Sequence, residues 1–160
     1  MTGPLGVRIE EYAGPHRDLI ASFREAEDSA SLLDDYLDLG RVWVARGAGG
    51  ELLGHLQAVA EEDGVTWEVT NTAVAETARG RGIGRLLLER ATEEARREGG
   101  SRVVLATAAA DVGALRFYQR CGFRMTHVVQ DAFGPDRGYL EPIVVDGLVL
   151  RDQVWFERVL

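Results

Sequence analysis

The sequence predicts an α/β (α+β) fold, in which a mixed, mostly antiparallel twisted sheet of six to seven strands carries helices on both faces. The first half contains short alternating apolar segments separated by glycine-rich turns, which is typical of antiparallel hairpins. The second half alternates strands with amphipathic helices, as β–α–β units do. A length of 160 residues with 46% hydrophobic content suits a single domain spanning residues 1–160 with a substantial core.

The chain begins with a predicted edge strand and a helix. Residues 5–12 alternate apolar with charged side chains, which is the period-two pattern of a strand. Pro15 then begins a helix that runs to about Glu27, because proline is tolerated in the first helical turn, where its missing N–H is not needed.

A second, short helix is predicted at residues 32–39. Ser29 or Ser31 is placed to cap its N-terminus, and Gly40 is placed to end it.

The next segment predicts an antiparallel meander. Residues 41–46 and 51–60 alternate around apolar side chains, and the glycine-rich turn at 47–50 joins them as a hairpin. A second turn leads into a strand at residues 65–74.

The remaining elements follow from helical spacing, caps and apolar runs. They are a helix at residues 83–98, a buried strand at 102–107, a helix from its cap Asp111 to Arg120, and closing strands at 123–131 and 149–159 around a loop at 134–147.

Charge and cysteine content restrict the class of function. The net charge of −8 and the pI near 4.9 argue against a nucleic-acid partner and suit a cationic small molecule. The one cysteine, Cys121, excludes an internal disulfide, and the sequence contains no metal-ligand cluster. There is no export pattern and no long apolar run, so we expect a cytoplasmic enzyme without a membrane segment.

A glycine- and arginine-rich segment joins the 65–74 strand to the long helix. It reads Arg79-Gly80-Arg81-Gly82-Ile83-Gly84-Arg85. Glycine permits the tight turn, the backbone amides at a helix start favour an anion, and the arginines add positive charge. The glycine spacing fits neither a dinucleotide fingerprint nor a P-loop. The segment therefore predicts a binding site for another phosphate group.

Two motifs together resemble the GCN5-related N-acetyltransferase (GNAT) superfamily and cover about residues 67–124. The first is Arg-x-x-Gly-x-Gly at Arg79, Gly82 and Gly84, which resembles the acetyl-CoA pyrophosphate loop. The second is Ala-x-x-x-Tyr-x-x-x-Gly-Phe, at Ala114, Tyr118, Gly122 and Phe123.

The resemblance implies that acetyl-CoA is the acetyl donor. The residues implied to bind it are Thr72, Ala73, Val74, Arg79, Gly80, Arg81, Gly82, Ile83, Gly84 and Arg85. Many members have Asn at the head of the second motif, where this chain has Asp111. An ionised Asp only accepts hydrogen bonds, so helix capping explains Asp111 better than a cofactor contact does.

Tyr118 is implied to be the general acid or hydrogen-bond donor to the departing CoA thiolate. A tyrosine of pKa about 10 and a thiol of about 8.5 make this proton transfer uphill by only ~2 kcal/mol. Packing in the core is the alternative role of Tyr118.

Glu68 is the candidate general base. It lies five residues before Ala73-Val74, as a Glu does in the histone-acetyltransferase branch. Strand alternation puts Glu68, Thr70, Thr72 and Val74 on one face. A carboxylate of pKa about 4.3 is a poor base, so burial has to raise it. A solvent-exposed Glu without a catalytic role is an equal alternative.

The predicted function is direct acetyl transfer to a primary amine, with a small cationic amine as the substrate. The alternatives are acetylation of a protein N-terminus or lysine, and a non-catalytic acetyl-CoA-binding domain. The predicted helix at residues 32–39 is strongly acidic, with Asp34, Asp35 and Asp38. The resemblance makes these carboxylates candidate amine recruiters, although a solvated face explains them better. It also allows a homodimer. The three histidines look incidental. For Trp155 and Phe156 the alternatives are the core, a groove wall and a dimer contact, with the core as the first choice.

Overall fold

Strands and helices follow one another in the predicted order along residues 6–160, which the computed structural model describes. The elements are β1 (Arg8–Glu11), α1 (Ile20–Ala26), α2 (Ala30–Tyr36), β2 (Arg41–Arg46), β3 (Leu52–Ala60), β4 (Thr66–Val74), α3 (Ile83–Arg97), β5 (Arg102–Ala108), α4 (Val112–Arg120), β6 (Arg124–Val129), β7 (Val144–Val145), β8 (Leu148–Val149) and β9 (Gln153–Val159).

Seven strands form one sheet, in the spatial order β1-β2-β3-β4-β5-β9-β6, and β7 pairs with β8 in a separate hairpin. The neighbours β4 and β5 run parallel, whereas the other neighbouring pairs are antiparallel. The predicted fold class is confirmed. Across residues 6–160 no helix has the length and apolar character needed to cross a membrane.

Helices cover both faces of the sheet, as predicted. On one face α3 and α4 pack over a core that includes Trp43, Leu56 and Phe156. On the other face α1 and α2 pack over β2, with Phe23 and Leu33 buried against it. Neighbouring residues of β2 therefore contribute to different cores, which is the period-two pattern of a strand buried on both faces.

The predicted bounds need correction at three places. A 3-10 turn, His16–Leu19, precedes α1, and part of the predicted first strand, Leu5, lies outside the described residues. The helix α2 ends at Tyr36, before its predicted end at residue 39, because the Gln57 amide takes over the carbonyls of Tyr36, Leu37 and Leu39. The last strand starts at Gln153, since the β7–β8 hairpin occupies the residues before it.

Both predicted helix caps are present in the structure. Ser29, one of the two candidates, accepts a hydrogen bond from the Leu32 N–H. The Asp111 carboxylate accepts one from the Ala114 N–H at 3.0 Å and so caps α4.

The parallel strands β4 and β5 separate before they end. Residues 66–69 of β4 pair with residues 102–105 of β5, and the pairing stops there. Beyond that point β4 continues to Val74 beside β3, and β5 continues to Ala108 beside β9. The strands therefore separate within the sheet and leave a gap between their C-terminal halves.

A β-bulge lies at the start of this gap and corrects the predicted alternation. Val69 is opposite Ala58 and Asn71 is opposite Gln57, so Thr70 is an extra residue on β4. Because of that extra residue, Glu68 and Asn71 face α1 and α2, whereas Thr72 and Val74 have their side chains on the opposite face. The prediction that Glu68, Thr70, Thr72 and Val74 share one face was wrong.

A buried carboxylate on α3 ties this helix to the sheet. Glu94 is 4% exposed and accepts hydrogen bonds from Arg41 (3.1 Å), Arg90 (2.9 Å) and Arg97 (3.1 Å). The bond from Arg90 is the main cause that holds the pKa of Glu94 below its ordinary value, although burial acts in the opposite direction. The charge of Glu94 is thus compensated by the fold itself.

We expect Glu94→Gln to lower the free energy of unfolding by about 2–3 kcal/mol at neutral pH, because three guanidinium groups lose their shared anion. Denaturant titration measures this value, and Glu93→Gln, on the exposed face of the same helix, is the matched control. Since the folded pKa is lowered, the stabilisation is present above the ordinary pKa of 4.5 and is lost as the pH falls through the folded value. An equal effect of the two substitutions would contradict the role of Glu94.

Candidate active site

Two backbone N–H groups of β4 face the gap. The Ala75 N–H donates to the Leu53 carbonyl at 2.8 Å, and in an antiparallel pair the bonded residues alternate. Ala73 therefore also bonds towards β3, whereas the N–H groups of Thr72 and Val74 point towards β5. By this point β5 has separated, so both donors are open to a ligand.

The predicted phosphate-binding segment is a left-handed turn that leads into α3. Gly80 and Gly82 have φ of 76° and 80°, and an added Cβ at either would meet nothing within 4 Å. Backbone conformation, rather than space, is therefore the reason for these two glycines. The first helical bond runs from the Leu86 N–H to the Gly82 carbonyl, which leaves the N–H groups of residues 83–85 without an intrahelical acceptor.

The arginines of this segment differ in their contacts. Arg79 Nε donates to the Val74 carbonyl at 3.1 Å, which ties the turn to the end of β4, while Arg81 is exposed. Arg85 donates to the Arg120 carbonyl at the end of α4, at 2.8 Å. Each guanidinium keeps further donors, so these contacts position the arginines near the turn without using all their hydrogen-bonding capacity.

Close contact between α3 and α4 explains the third glycine. A Cβ at Gly84 would lie 3.1 Å from the ring of Phe117. This contact sets the distance between the start of α3 and the helix that carries Tyr118. Ile83 is buried in the core, so only its backbone is available to a ligand.

Tyr118 has a fixed ring and an unused hydroxyl group. It is 9% exposed, and its ring lies 5.8 Å from that of Phe156 and 6.1 Å from that of Phe123. Burial raises the pKa of Tyr118 to about 12, and Asp111 adds to the rise. Within residues 6–160 its hydroxyl makes no hydrogen bond and is not fully buried. The two alternatives for Tyr118, core packing and a donor to a ligand, are therefore compatible.

Glu68 lies at the point where β4 and β5 separate. It pairs with Val104, one residue before the last pair of the parallel ladder. Burial and, as the smaller cause, the neighbouring carboxyl group of Glu61 together raise the pKa of Glu68 to about 7. The raised pKa that a carboxylate base requires is thus present.

A groove of about 710 Å³ begins at Glu68 and runs over β5, β9 and β6. It lies on the same face of the sheet as α1 and α2, in the part that these helices do not cover. Among the lining residues, Arg102 is the one permanent cation, and it already contacts Asp63 at 3.8 Å and Glu157 at 3.6 Å. The carboxylates that line it are Glu61, Glu62, Asp63, Glu68 and Glu157. The groove is therefore acidic.

The structure selects the groove wall among the alternatives for Trp155. Phe156 is fully buried, as expected, but Trp155 is only partly buried and stacks on His127 with an interplanar angle of 5°. It lines the groove instead of the core.

Sequence reasoning missed a buried chain of hydrogen bonds behind the gap. Its links are Ser22 Oγ to His55 Nδ1 (2.6 Å), His55 Nε2 to Asn71 Oδ1 (2.7 Å), Asn71 Nδ2 to Tyr36 Oη (3.0 Å), Tyr36 Oη to Glu27 Oε1 (3.4 Å) and Tyr139 Oη to Glu27 Oε2 (2.5 Å). It connects α1, β3, β4, α2 and the loop after β6. The available signal was the polar pair His55 and Gln57 inside an otherwise apolar strand.

His55 is therefore not incidental to the fold. It is fully buried beneath Phe23, and burial lowers its pKa to about 4, so the ring is neutral. The Asn71 amide donates to the Phe23 carbonyl and to Tyr36, so its oxygen accepts from His55 Nε2–H. His55 Nδ1 then accepts from the Ser22 hydroxyl. Each polar atom of the imidazole is satisfied.

A family model and a relative of known sequence both match an acetyltransferase family. A model of the acetyltransferase (GNAT) family matches residues 10–123. The chain is 33% identical over 148 residues to an uncharacterised N-acetyltransferase, YvbK, of Bacillus subtilis (strain 168), which covers 92% of this chain and 93% of that protein.

Solved structures agree with the sequence match. An IAA acetyltransferase from Bacillus cereus ATCC 14579 has a TM-score of 0.87 and 32% identity, covering 96% of this chain and 99% of that one. A GNAT family acetyltransferase from Elizabethkingia anophelis, solved with acetyl-CoA bound, has a TM-score of 0.87 and 28% identity, covering 97% and 99%.

We expect Gly82→Ala to weaken CoA binding about tenfold, because an alanine forced to a positive φ costs about 1–2 kcal/mol and the turn relaxes away from the geometry that holds the anion. Calorimetric titration with CoA measures this.

Gly50→Ala is the matched control, since Gly50 has φ of 83° and equally open surroundings in the turn between β2 and β3. Both substitutions should lower stability by a similar amount, and the control should bind CoA as the unchanged protein does. Unaltered CoA affinity in Gly82→Ala would contradict the assigned role of the turn.

Proposed function

The chain belongs to the acetyltransferase (GNAT) family and uses acetyl-CoA as its acetyl donor, and on this basis we propose that it acetylates the primary amine of a small cationic molecule by direct transfer. The observation that carries the proposal is the position of Glu68, which stands both at the gap in the sheet and at the end of an acidic groove. Donor and acceptor then meet where β4 and β5 separate.

We propose that the backbone holds the donor. The N–H groups of residues 83–85, with Gly80 and Gly82 shaping the turn and Arg79, Arg81 and Arg85 around it, bind the pyrophosphate. The pantetheine arm then enters the gap along residues 72–74, with Ala73 facing β3. The N–H of Thr72 or Val74 is directed at the thioester carbonyl, where it stabilises the negative charge that develops during attack.

In this proposal Tyr118 donates to the CoA sulfur as the carbon–sulfur bond breaks. Its pKa of about 12 makes full proton transfer to an ordinary thiolate uphill by ~5 kcal/mol. The thiolate leaves from the same dehydrated gap, and desolvation raises its own proton affinity. Tyr118 therefore donates a hydrogen bond to the sulfur at first. It transfers the proton only late in the reaction, when the thiolate has formed.

Glu68 receives the proton that the acceptor ammonium loses before it attacks. An alkylammonium of pKa about 10.4 gives a proton to a carboxyl of pKa about 7 at a cost of ~4.6 kcal/mol, against ~8 kcal/mol for an ordinary carboxylate. Burial of Glu68 therefore removes much of the barrier to forming the free amine. A water molecule between the two groups serves equally well.

The acidic groove favours a small cationic acceptor. Five carboxylates line it, and its one permanent cation, Arg102, is already paired, so a positively charged molecule is attracted and an acidic protein surface is repelled. Acetylation of a protein N-terminus or lysine is the second candidate, and a homodimer stays a prediction of the family resemblance.

The acceptor class is tested by measuring CoA release with a panel of aliphatic amines, aminosugars and lysine-containing peptides. We expect turnover with the small amines. Exclusive use of peptides would support the second candidate, and acetyl-CoA binding without turnover on any acceptor would identify a non-catalytic binding domain.

We expect Tyr118→Phe to keep acetyl-CoA affinity and to lower kcat by about tenfold or more, because the ring still packs while the donor to the sulfur is lost. Steady-state CoA release and calorimetry measure the two quantities. Tyr12→Phe, far from the gap, is the control. Unchanged kcat in Tyr118→Phe would leave core packing as its role.

We expect kcat/KM to rise with pH through about 7 as Glu68 ionises, and to continue rising towards pH 8–9 as more of the acceptor becomes free amine. Glu68→Gln should lower kcat/KM by about tenfold or more and remove the inflection near 7. Glu62→Gln, an exposed carboxylate of the same groove, should keep the inflection.

Glu68→Gln, which should lower activity, should raise stability. Because the folded pKa of Glu68 is raised, ionisation of Glu68 destabilises the fold as the pH rises from 4.5 through about 7. Glu68→Gln should therefore unfold at a higher denaturant concentration than the unchanged protein at pH 8. Lower stability together with a retained inflection would contradict the assignment of Glu68 as base.

A further inference from the structure

Some buried or partly buried carboxylates of the chain contact an arginine, and others contact no cation. Glu94 receives three guanidinium groups, and the partly buried Glu10, Glu89 and Glu157 each contact an arginine. Glu27 and Glu68 are also partly buried, yet neither lies within salt-bridge distance of a cation anywhere in residues 6–160. A shielded negative charge without a counter-ion is unfavourable, so both positions are suited to a positive charge from outside the chain.

The Glu27 carboxylate is held in one orientation by two tyrosines. Tyr139 and the Ser29 N–H donate to Oε2 at 2.5 Å and 3.4 Å, and Tyr36 donates to Oε1 at 3.4 Å. A carboxylate oxygen accepts two hydrogen bonds, so Oε1 retains acceptor capacity. These neutral donors orient the carboxylate but leave its charge uncompensated.

Glu27 is connected to the gap through Tyr36. The Asn71 amide donates to the Tyr36 hydroxyl at 3.0 Å, and Asn71 directly precedes Thr72, whose N–H faces the gap. Burial raises the pKa of Tyr36 well above its ordinary value, and the negative charges of Glu27 and Glu68 both add to the rise. The Tyr36 hydroxyl therefore contacts Glu27 directly and is linked through Asn71 to the part of β4 that borders the gap.

We propose that Glu27, oriented by Tyr36 and Tyr139, binds a second ammonium group of the acceptor, so that the preferred acceptors are diamines or amino compounds with two cationic nitrogens. This inference rests on the proposed function of the same site. One nitrogen stays protonated at Glu27, and the other is delivered as a free amine beside Glu68.

The chemical step balances with the groups named. The new carbon–nitrogen bond forms as the carbon–sulfur bond of acetyl-CoA breaks. Of the two protons that the reacting ammonium loses, one passes through Glu68 to solvent and the other ends on the CoA sulfur. The ammonium at Glu27 keeps its protons throughout and contributes binding alone.

Two pairs of acceptors test the inference. Putrescine and n-pentylamine have the same length and differ in one terminal group, a second ammonium or a methyl, and cadaverine with n-hexylamine form the second pair. With the full chain and acetyl-CoA, we expect KM for each diamine to be at least about tenfold below that of its monoamine, as one charge-assisted contact allows.

Substitutions then test whether Glu27 causes the preference for diamines. Glu27→Gln should raise KM for putrescine about tenfold or more and leave KM for n-pentylamine nearly unchanged, and Tyr139→Phe should have a smaller effect in the same direction. Asp28→Asn removes the same charge from the neighbouring exposed residue and should preserve the preference. A purely structural role of Glu27 would change both acceptors by the same factor.

The outcomes separate the two claims. Equal KM for diamine and monoamine in the unchanged protein overturns the inference while the proposed function stands, and that comparison needs no variant to fold. The inference also fails if Glu27→Gln alters KM for both acceptors equally. Absence of transfer to any amine overturns the proposed function, and the inference with it.

Discussion

The site depends on the point at which two parallel strands stop pairing. Had the ladder between β4 and β5 continued past Val69 and Leu105, the backbone donors of Thr72 and Val74 would be used within the sheet. Separation leaves those donors unpaired in the interior of the fold, where polar groups without partners are unfavourable. These two donors therefore favour a ligand with hydrogen-bond acceptors, and the carbonyl groups of acetyl-CoA are such acceptors.

The bulge at Thr70 changes which side chains of β4 lie on each face of the sheet. Before the bulge Glu68 is directed to the side of α1 and α2, and after it Asn71 takes that side while Thr72 turns to the α3 side. Without the extra residue, strict alternation would place Thr72 beside Glu68. One inserted residue therefore decides which β4 side chains lie on the same face of the sheet as the acidic groove.

Features contained in a short stretch of the chain were predictable from the sequence. Contacts between residues that are far apart in the chain were not. The turn at Gly80 and Gly82, the cap Asp111 and the motif around Tyr118 are each contained in a short stretch, so spacing and residue type indicated them. The bulge leaves no mark in the residue pattern, so the predicted face of Thr72 was wrong. Glu27 and Tyr139 are 112 residues apart, and no local pattern relates them. The acidic α2 drew attention to Asp34 and Asp35, which are exposed, while the inward-facing Tyr36 carries the contact with the site.

The bond between Tyr139 and Glu27 also fixes the loop that follows β6 against the connection between α1 and α2. The residues proposed to bind acetyl-CoA lie in the central part of the chain, whereas this hydrogen bond joins two segments that lie outside it. If Glu27 binds the acceptor as proposed, changes in the loop between β6 and β9 alter the choice of acceptor and leave the acetyl-CoA contacts intact. A library of variants confined to that loop then yields enzymes with altered acceptors.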